Sequence, residues 1–288
     1  MSLQNSQGRP VAIVTGASGG IGDATARALV DAGYRVFGTS RKPVPTTSAG
    51  VESLVCDVTR DEPVDAAVRE VLAKAGRIDL LVNNAGVGLL GAAEESSVEQ
   101  ARALFDVNLF GVIRTTRAVL PAMRRQRAGR VVNISSVMGL IPAPYMALYA
   151  ASKHALEGYS ESLDHELRHT GIRVTLIEPA YTQTSFESNL MQADRPLEHY
   201  RPGRSNAEAV MREEMKKADA PQVVAQAVLK AATAPHPRTR YAAGGMARQV
   251  TLLRRFVPQS AFDKSLRKQM RMPAFGQAGS LGRSDDNT

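Results

Sequence analysis

Short apolar runs alternate with longer amphipathic stretches through the first two-thirds of the chain, and nothing else in the sequence limits the fold as much. VAIVTG (11–16), YRVFGTS (34–40), VESLVCDV (51–58), IDLLVNNAG (78–86), RVVNISS (130–136) and RVTLIEP (173–179) have the length and β-branched character of buried strands. Between them, DATARALVDAG (23–33), a segment at about 61–75, one from Val98 to about Met123, and one from Leu148 to about His169 carry helical spacing, the first closed by Gly33 at its C′ position. Strand, helix, strand repeated in this way implies parallel pairing with right-handed crossovers. The expected fold class is α/β, a doubly wound parallel sheet of about seven strands with helices on both faces. Ligands of such sheets bind outside the carboxyl ends of the strands. The loops after Thr15, Thr39, Val82, Ile134 and Ile177 are therefore expected along one edge.

The 288 residues, 43% hydrophobic and 22% charged, suit a single globular domain of this kind. Beyond Thr184 the pattern loosens: residues 185–218 are polar, helix-compatible and without a strand signal. PQVVAQAVLKAAT (221–233) is a clear helix, and TRYAAG (239–244) can supply a last strand. The expected organisation is a flexible N-terminus (1–8), a catalytic domain (9–245) with a substrate lid at about 185–217, a C-terminal helical extension (246–272) and a disordered tail (273–288).

No run of eighteen apolar residues occurs, the N-terminus MSLQNSQGRP lacks an apolar signal core, and Cys56 is the sole cysteine. An internal disulfide and a cysteine metal cluster are thus excluded, no His/Glu metal constellation accompanies the motifs below, and a cytoplasmic location is the default expectation. The net charge of +8 does not point to nucleic acid, because no basic stripe with interleaved aromatics is present; Arg254, Arg255, Arg267, Lys268 and Arg271 gather near the C-terminus instead. A solvated tail accounts for this, or a positive field that attracts an anionic cofactor or substrate.

TGASGGIG (15–22) lies between the first strand and the first helix, with glycines at 16, 20 and 22. Gly16 can make the tight turn, Gly20 permits close approach of a pyrophosphate, and Gly22 lets the helix pack on the strand. Helix N-terminal amides then hold the phosphate. A plain glycine-rich turn has the same composition; the position after the first strand favours nucleotide binding. Farther on, Tyr149 and Lys153 stand four residues apart, on one face of a helix. Taken alone, that is an ordinary aromatic–cation pair.

Taken in order, TGASGGIG, NNAG (83–86), NISS (133–136) and YAASK (149–153) resemble the short-chain dehydrogenase/reductase family. Within it they are most similar to the 17β-hydroxysteroid dehydrogenase-like and retinol dehydrogenase-like oxidoreductases. The resemblance runs from residue 9 to about 186 and is weaker beyond. It implies a Rossmann-like domain in which the Tyr149 phenol exchanges a proton with the substrate oxygen while a nicotinamide exchanges a hydride with its carbon. A phenol ionises near pH 10, so acting near pH 7 asks for about 4 kcal/mol of phenolate stabilisation, part of it from Lys153. By the same resemblance Ser136, thirteen residues before Tyr149, holds the substrate oxygen, and Asn108 interrupts the long helix and supports a water near the lysine. Ser135 is left a strand-end hydrogen bond.

The resemblance assigns cofactor contacts to Gly16, Ser18, Gly20, Ile21 and Gly22, to Ser40 and Arg41, to Asp57 and Val58, and to Asn84, Ala85 and Gly86, as well as to Tyr149 and Lys153. Pro179, Ala180, Thr182 and Thr184 of EPAYTQT stand where the family has Pro-Gly-x-x-x-Thr beside the nicotinamide, with Ala180 in place of glycine. An acid at the end of the second strand would mark NAD; GTSRKP offers Arg41, whose guanidinium suits a 2′-phosphate, so the expected cofactor is NADP(H). The candidate substrate-facing residues Leu89, Leu90, Met138, Leu140, Tyr145, Tyr181 and Phe186 suggest a small lipophilic carbonyl or alcohol. His154 reads as packed or solvated. In similar family members the two long helices pair across a four-helix interface, so a homodimer or homotetramer is expected. One rival is a non-enzymatic dinucleotide sensor, though such a protein has no need of the four proton-transfer residues. Another is a reductase held peripherally on a membrane by ARQVTLLRRFVPQSAF (247–262), which Pro258 interrupts; a core-covering helix is the favoured reading there.

Overall fold

The computed structural model describes residues 8–43, 50–186 and 190–272. Seven strands form one sheet: β1 (Val11–Thr15), β2 (Arg35–Ser40), β3 (Val51–Val55), β4 (Leu80–Asn83), β6 (Gly129–Ile134), β7 (Ile172–Pro179) and β9 (Arg240–Ala243). Their order is β3-β2-β1-β4-β6-β7-β9, and every pairing is parallel. A separate parallel pair joins β5 (Leu89–Leu90) to β8 (Met191–Gln192). The helices are α1 (Gly20–Asp31), α2 (Asp61–Ala75), α3 (Val98–Phe105), α4 (Gly111–Gln126), α5 (Ala147–Leu167), α6 (Arg201–Met215), α7 (Pro221–Thr233), α8 (Gly245–Phe256) and α9 (Gln259–Gln269).

Strand alternation explains why VAIVT is buried throughout. Val11 and Ile13 face a layer that includes Val68, Val71, Val119, Met123 and Leu163, contributed by α2, α4 and α5. Ala12 and Val14 face the opposite layer, where α1 and α7 bring Ala26, Leu29, Val224 and Val228. Each such Val or Leu, fully buried, contributes about 1.5–3 kcal/mol. This is the two-faced parallel sheet expected from the alternation. The register aligns Thr15 with Thr39, Val14 with Val82, Asn83 with Asn133 and Ile134 with Ile177, so the loops after these strands share one edge.

The helix from Val98 is interrupted around Asn108, where the family resemblance puts a break: Asp106–Phe110 forms a π turn, in which the Gly111 amide donates to the Asp106 carbonyl five residues back. Two segments depart from expectation. Residues 185–218 do contain a strand, β8, too short to leave a periodic signal, and the segment around it is tied to the body. The Asp194 carboxylate accepts from the Ser97 amide at 2.8 Å, Gln100 Nε2 donates to the Gln192 carbonyl at 2.8 Å, and Arg204 of α6 forms an ion pair with the fully buried Glu95. The C-terminal helical segment is broken between α8 and α9 at Val257 and Pro258, and it covers the core on one side only: Ala247 is buried while Leu252, Leu253 and Phe256 are exposed. The expected flexible residues 1–7 and tail 273–288 lie outside the described residues. Among those described, no helix is long and apolar enough to cross a membrane.

Candidate active site

The glycine loop is held against the β4 loop by contacts that admit no larger side chain. Gly16 and Gly20 have φ of +65° and +54°, the left-handed region that favours glycine. A Cβ on Gly22 would lie 2.2 Å from the Gly16 carbonyl oxygen, and one on Gly20 would lie 3.0 Å from Thr184. The Asn84 amide group donates to the carbonyls of Thr15 (2.9 Å) and Gly16 (3.0 Å), while Thr15 Oγ1 accepts from the amides of Asn84 and Ala85, both at 3.0 Å. Gly16, Gly20, Gly22, Asn84, Ala85 and Thr184 are thus brought together at the N-terminus of α1, whose N-cap makes no side-chain bond. A cavity of about 260 Å³ opens there between the first turns of α1 and α7, bordered by Gly20, Thr184 and Gln222. Close backbone approach, uncapped helix amides and an open cleft fit a dinucleotide pyrophosphate. Pro179 and Ala180 end β7 on the same edge, where the Thr182 hydroxyl donates to the Ala180 carbonyl at 3.4 Å.

At the neighbouring strand ends, the Asp57 carboxylate accepts from the Thr59 amide (3.0 Å) and hydroxyl (2.8 Å). The Thr59 amide chiefly holds its carboxyl below the usual range, with the Arg41 and Arg60 charges adding to this. Arg41 therefore stands in the field of Asp57, beside Ser40, whose hydroxyl donates to the Lys42 carbonyl at 2.5 Å.

The π turn sets Asn108 facing inward. Its Oδ1 accepts from the Val87 amide (2.9 Å), and its Nδ2 donates to the Val87 carbonyl (2.9 Å) and to Ser152 Oγ (3.1 Å). Both Asn108 Oδ1 and Lys153 Nζ border Gly86, 3.4 and 3.9 Å from where a Cβ would stand. Lys153 Nζ donates to the Ile134 carbonyl at 3.0 Å. Ser136 caps a short 3-10 turn by accepting from the Met138 amide at 3.1 Å.

Burial governs the charges of this group. The Tyr149 phenol is pushed up to about 12 by desolvation, which the Ser136 hydroxyl opposes. Desolvation also pulls Lys153 down to about 8, with the Glu157 charge opposing. Lys153 Nζ lies 5.8 Å from the Tyr149 ring centroid.

The apolar surroundings sort the substrate-facing candidates. Met138, Ile141 and Leu140 pack with Tyr149, and the Phe186 ring lies 5.9 Å from the Tyr149 ring. Leu89 and Leu90 are buried in the β5–β8 ribbon. Tyr145 is elsewhere: it has a φ of +63°, packs with Ala207, Val210 and Met270, and stands so close to Gly203 that a Cβ there would overlap its hydroxyl. Tyr181 is half-buried, and burial raises its phenol, with the Glu214 charge adding to this. The His154 ring is hydrogen-bonded at 2.9 Å to the Ala150 carbonyl.

Sequence reasoning missed a buried carboxylate cluster behind these residues. The Ser135 hydroxyl donates to Glu157, and Arg240 pairs with Glu157, with Glu178 at 2.6 Å and with Glu161 at 2.8 Å. Burial pushes Glu157 up to about 7. The four-residue step from Lys153 to Glu157 was the available signal. Among the described residues, no group of His, Cys, Asp and Glu could hold a metal ion.

The family model for short chain dehydrogenases matches residues 10–195. The chain belongs to the short-chain dehydrogenase/reductase family. A 3-ketodihydrosphingosine reductase from Bacteroides thetaiotaomicron is 43% identical over 179 residues, 62% of this chain and 66% of that protein. The uncharacterized oxidoreductase YbbO of Escherichia coli is 36% identical across 88% of this chain and 93% of its own. A solved short-chain dehydrogenase from Streptomyces avermitilis superposes with a TM-score of 0.77 at 34% identity, covering 92% and 96% of the two chains. Two more distant structures bear on the cofactor. A 3-ketoacyl-(acyl-carrier-protein) reductase from Brucella melitensis complexed with NADH has a TM-score of 0.69 at 25% identity, covering 82% and 97%. ElxO with NADP bound has 0.71 at 25%, covering 84% and 99%. This family member is thus an oxidoreductase whose solved relatives bind NAD(H) or NADP(H).

Proposed function

We propose that this oxidoreductase moves a hydride between NADP(H) and a lipophilic carbonyl or secondary alcohol, with Asn108, Ser136, Tyr149 and Lys153 as its proton-transfer set. The observation that carries the reading is the Tyr149–Lys153 turn, with Lys153 Nζ 5.8 Å from the Tyr149 ring centroid and both Lys153 and Asn108 bordering Gly86. The nicotinamide, when bound, supplies the hydride and, once oxidised, a positive charge. In the reductive direction the Tyr149 phenol gives its proton to the substrate oxygen, and its raised pKa keeps that proton in place at neutral pH. Ser136 holds the same oxygen. Lys153, still mostly protonated at pH 7, stabilises the phenolate left behind. Asn108, clamped on both polar groups of Val87, fixes the wall opposite the lysine.

Gly16, Ser18, Gly20, Ile21, Gly22, Asp57, Val58, Asn84, Ala85, Gly86, Pro179, Ala180, Thr182 and Thr184 hold the dinucleotide in this reading. Arg41 and Ser40 receive the 2′-phosphate, and no acid stands between Val36 and Pro45 to repel it. Met138, Leu140, Ile141 and Phe186 give the substrate an apolar seat beside the phenol, and the keto lipid for which the Bacteroides relative is named is chemistry of the same class. A panel of steroids, retinoids, acyl thioesters and aromatic carbonyls, followed by NADPH absorbance, tests the reading. Oxidation of NADPH by at least one lipophilic carbonyl, lost in Tyr149→Phe, is expected. Turnover surviving that substitution would sink it.

A further inference from the structure

The last two helices have two chemically different sides. Inward, Ala247 is fully buried, and Val250 and Phe262 pack against the Met138, Ile141 and Tyr149 cluster. Outward, Leu252, Leu253 and Phe256 are 58%, 50% and 72% exposed. Positions 252, 253 and 256 share one helix face. Arg248 and Arg255 flank it and are exposed, with the Arg255 guanidinium 5.5 Å from the Phe256 ring. The exposed Lys264 and Lys268 on α9 belong to the same pair of helices. Between residues 245 and 272 there are seven Lys or Arg and a single acid, Asp263, so this stretch holds most of the net charge of +8.

An apolar ridge set in a cationic field is complementary to a surface that is both apolar and anionic. A second copy of the chain is a poor occupant, because a twofold contact through this ridge would bring two sets of arginines together. We propose that α8 and α9 dock the protein on an anionic phospholipid bilayer. Leu252, Leu253 and Phe256 enter the interface while Arg248, Arg255, Lys264 and Lys268 meet the headgroups. The inner side of the same helices touches the Tyr149 cluster, so docking brings the candidate active site to the membrane face and lets a lipophilic substrate enter without crossing bulk water. That last consequence rests on the proposed reductase reading; the docking itself does not.

Flotation of the full chain with phosphatidylcholine vesicles, with and without about 30% phosphatidylglycerol, tests it without any substrate. At least about tenfold more protein is expected on the anionic vesicles, falling at high salt as screening shortens to about 3 Å near 1 M. L252S/L253S/F256S should abolish binding, and R248Q/R255Q/K264Q/K268Q should remove the preference for anionic lipid. Both variants should keep wild-type turnover of a water-soluble carbonyl, which separates failure of docking from failure of the catalytic reading. Absent flotation, equal flotation on both vesicles, or binding retained by the serine variant would overturn the proposal. A fall in oligomer mass by light scattering, with flotation unchanged, would assign the ridge to a second copy and overturn it too.

Discussion

The Ser135 hydroxyl donates a hydrogen bond to the Glu157 carboxylate, and this contact joins the turn that carries Ser136 to the helix that carries Tyr149 and Lys153. Glu157 is buried and paired with Arg240 on β9, so the edge of the sheet that carries the candidate site is braced from three elements at once. Glu157→Ala is expected to cost about 1–3 kcal/mol of stability, since Arg240 keeps Glu178 and Glu161 while Ser135 loses its acceptor. Glu157→Gln should be milder and should flatten the pH dependence of folding. With its native pKa raised from 4.5 to about 7, Glu157 binds more protons folded than unfolded across that window. Its contribution therefore weakens as pH rises from about 4.5 to 7. Urea titrations at the two ends of the window, on both variants, check the sign.

Tyr149→Phe removes the transferable proton and little else. Turnover is expected to fall by about 10²–10⁴ while NADPH affinity stays within a few-fold of wild type. Fluorescence titration and NADPH absorbance separate the two quantities. Weak binding with residual turnover would be the wrong pattern.

Lys153 carries its charge below about pH 8 and loses it above. The value of kcat/KM for carbonyl reduction, which reports the free enzyme, is expected to decline through an alkaline limb near that pH. Lys153→Met should remove the limb together with most of the activity. A profile flat to pH 10 would contradict the assignment.

Arg41→Ala should weaken NADPH binding by about ten- to hundredfold, the value of one charge-assisted contact to a phosphate, and leave NADH nearly unchanged. Placing an acid at Ser40 should push the preference further towards NADH. Equal wild-type affinity for the two cofactors would show that Arg41 is an ordinary loop arginine.

Arg204→Ala strands the buried Glu95 carboxylate, which otherwise anchors α6 and also accepts from the Leu197 amide at 2.8 Å. Breaking such a pair costs about 3–5 kcal/mol. Faster amide exchange is expected over residues 190–215, with the sheet amides unaffected. Adding NADPH and substrate to wild type should slow exchange over the same segment if it closes over the site.

The sheet was legible because parallel strands buried on both faces must be apolar along their whole length, and VAIVT and LLVN are. The Tyr149–Lys153 pair was legible because an i, i+4 spacing on a helix is a statement about distance. Tyr145 was not: its left-handed backbone turns its ring away from Tyr149 and onto Gly203, and no residue type announces that. Nor was β8, whose partner lies about a hundred residues earlier in β5. The outward set of α8 was half legible, since the sequence fixes which residues share a face but not which face the core takes.

The π turn at Asp106–Phe110 makes the site sensitive to the number of residues as well as to their kinds. Its wide turn holds one residue more than an α-helical turn would. Deleting any one of Asp106, Val107, Leu109 or Phe110 would let the chain run straight from α3 into α4, rotating one against the other by about 100°. Asn108 would swing off Val87 with all four proposed proton-transfer side chains still encoded. A gap of one in an alignment at this place thus predicts an inactive relative, even where all four motif residues are kept.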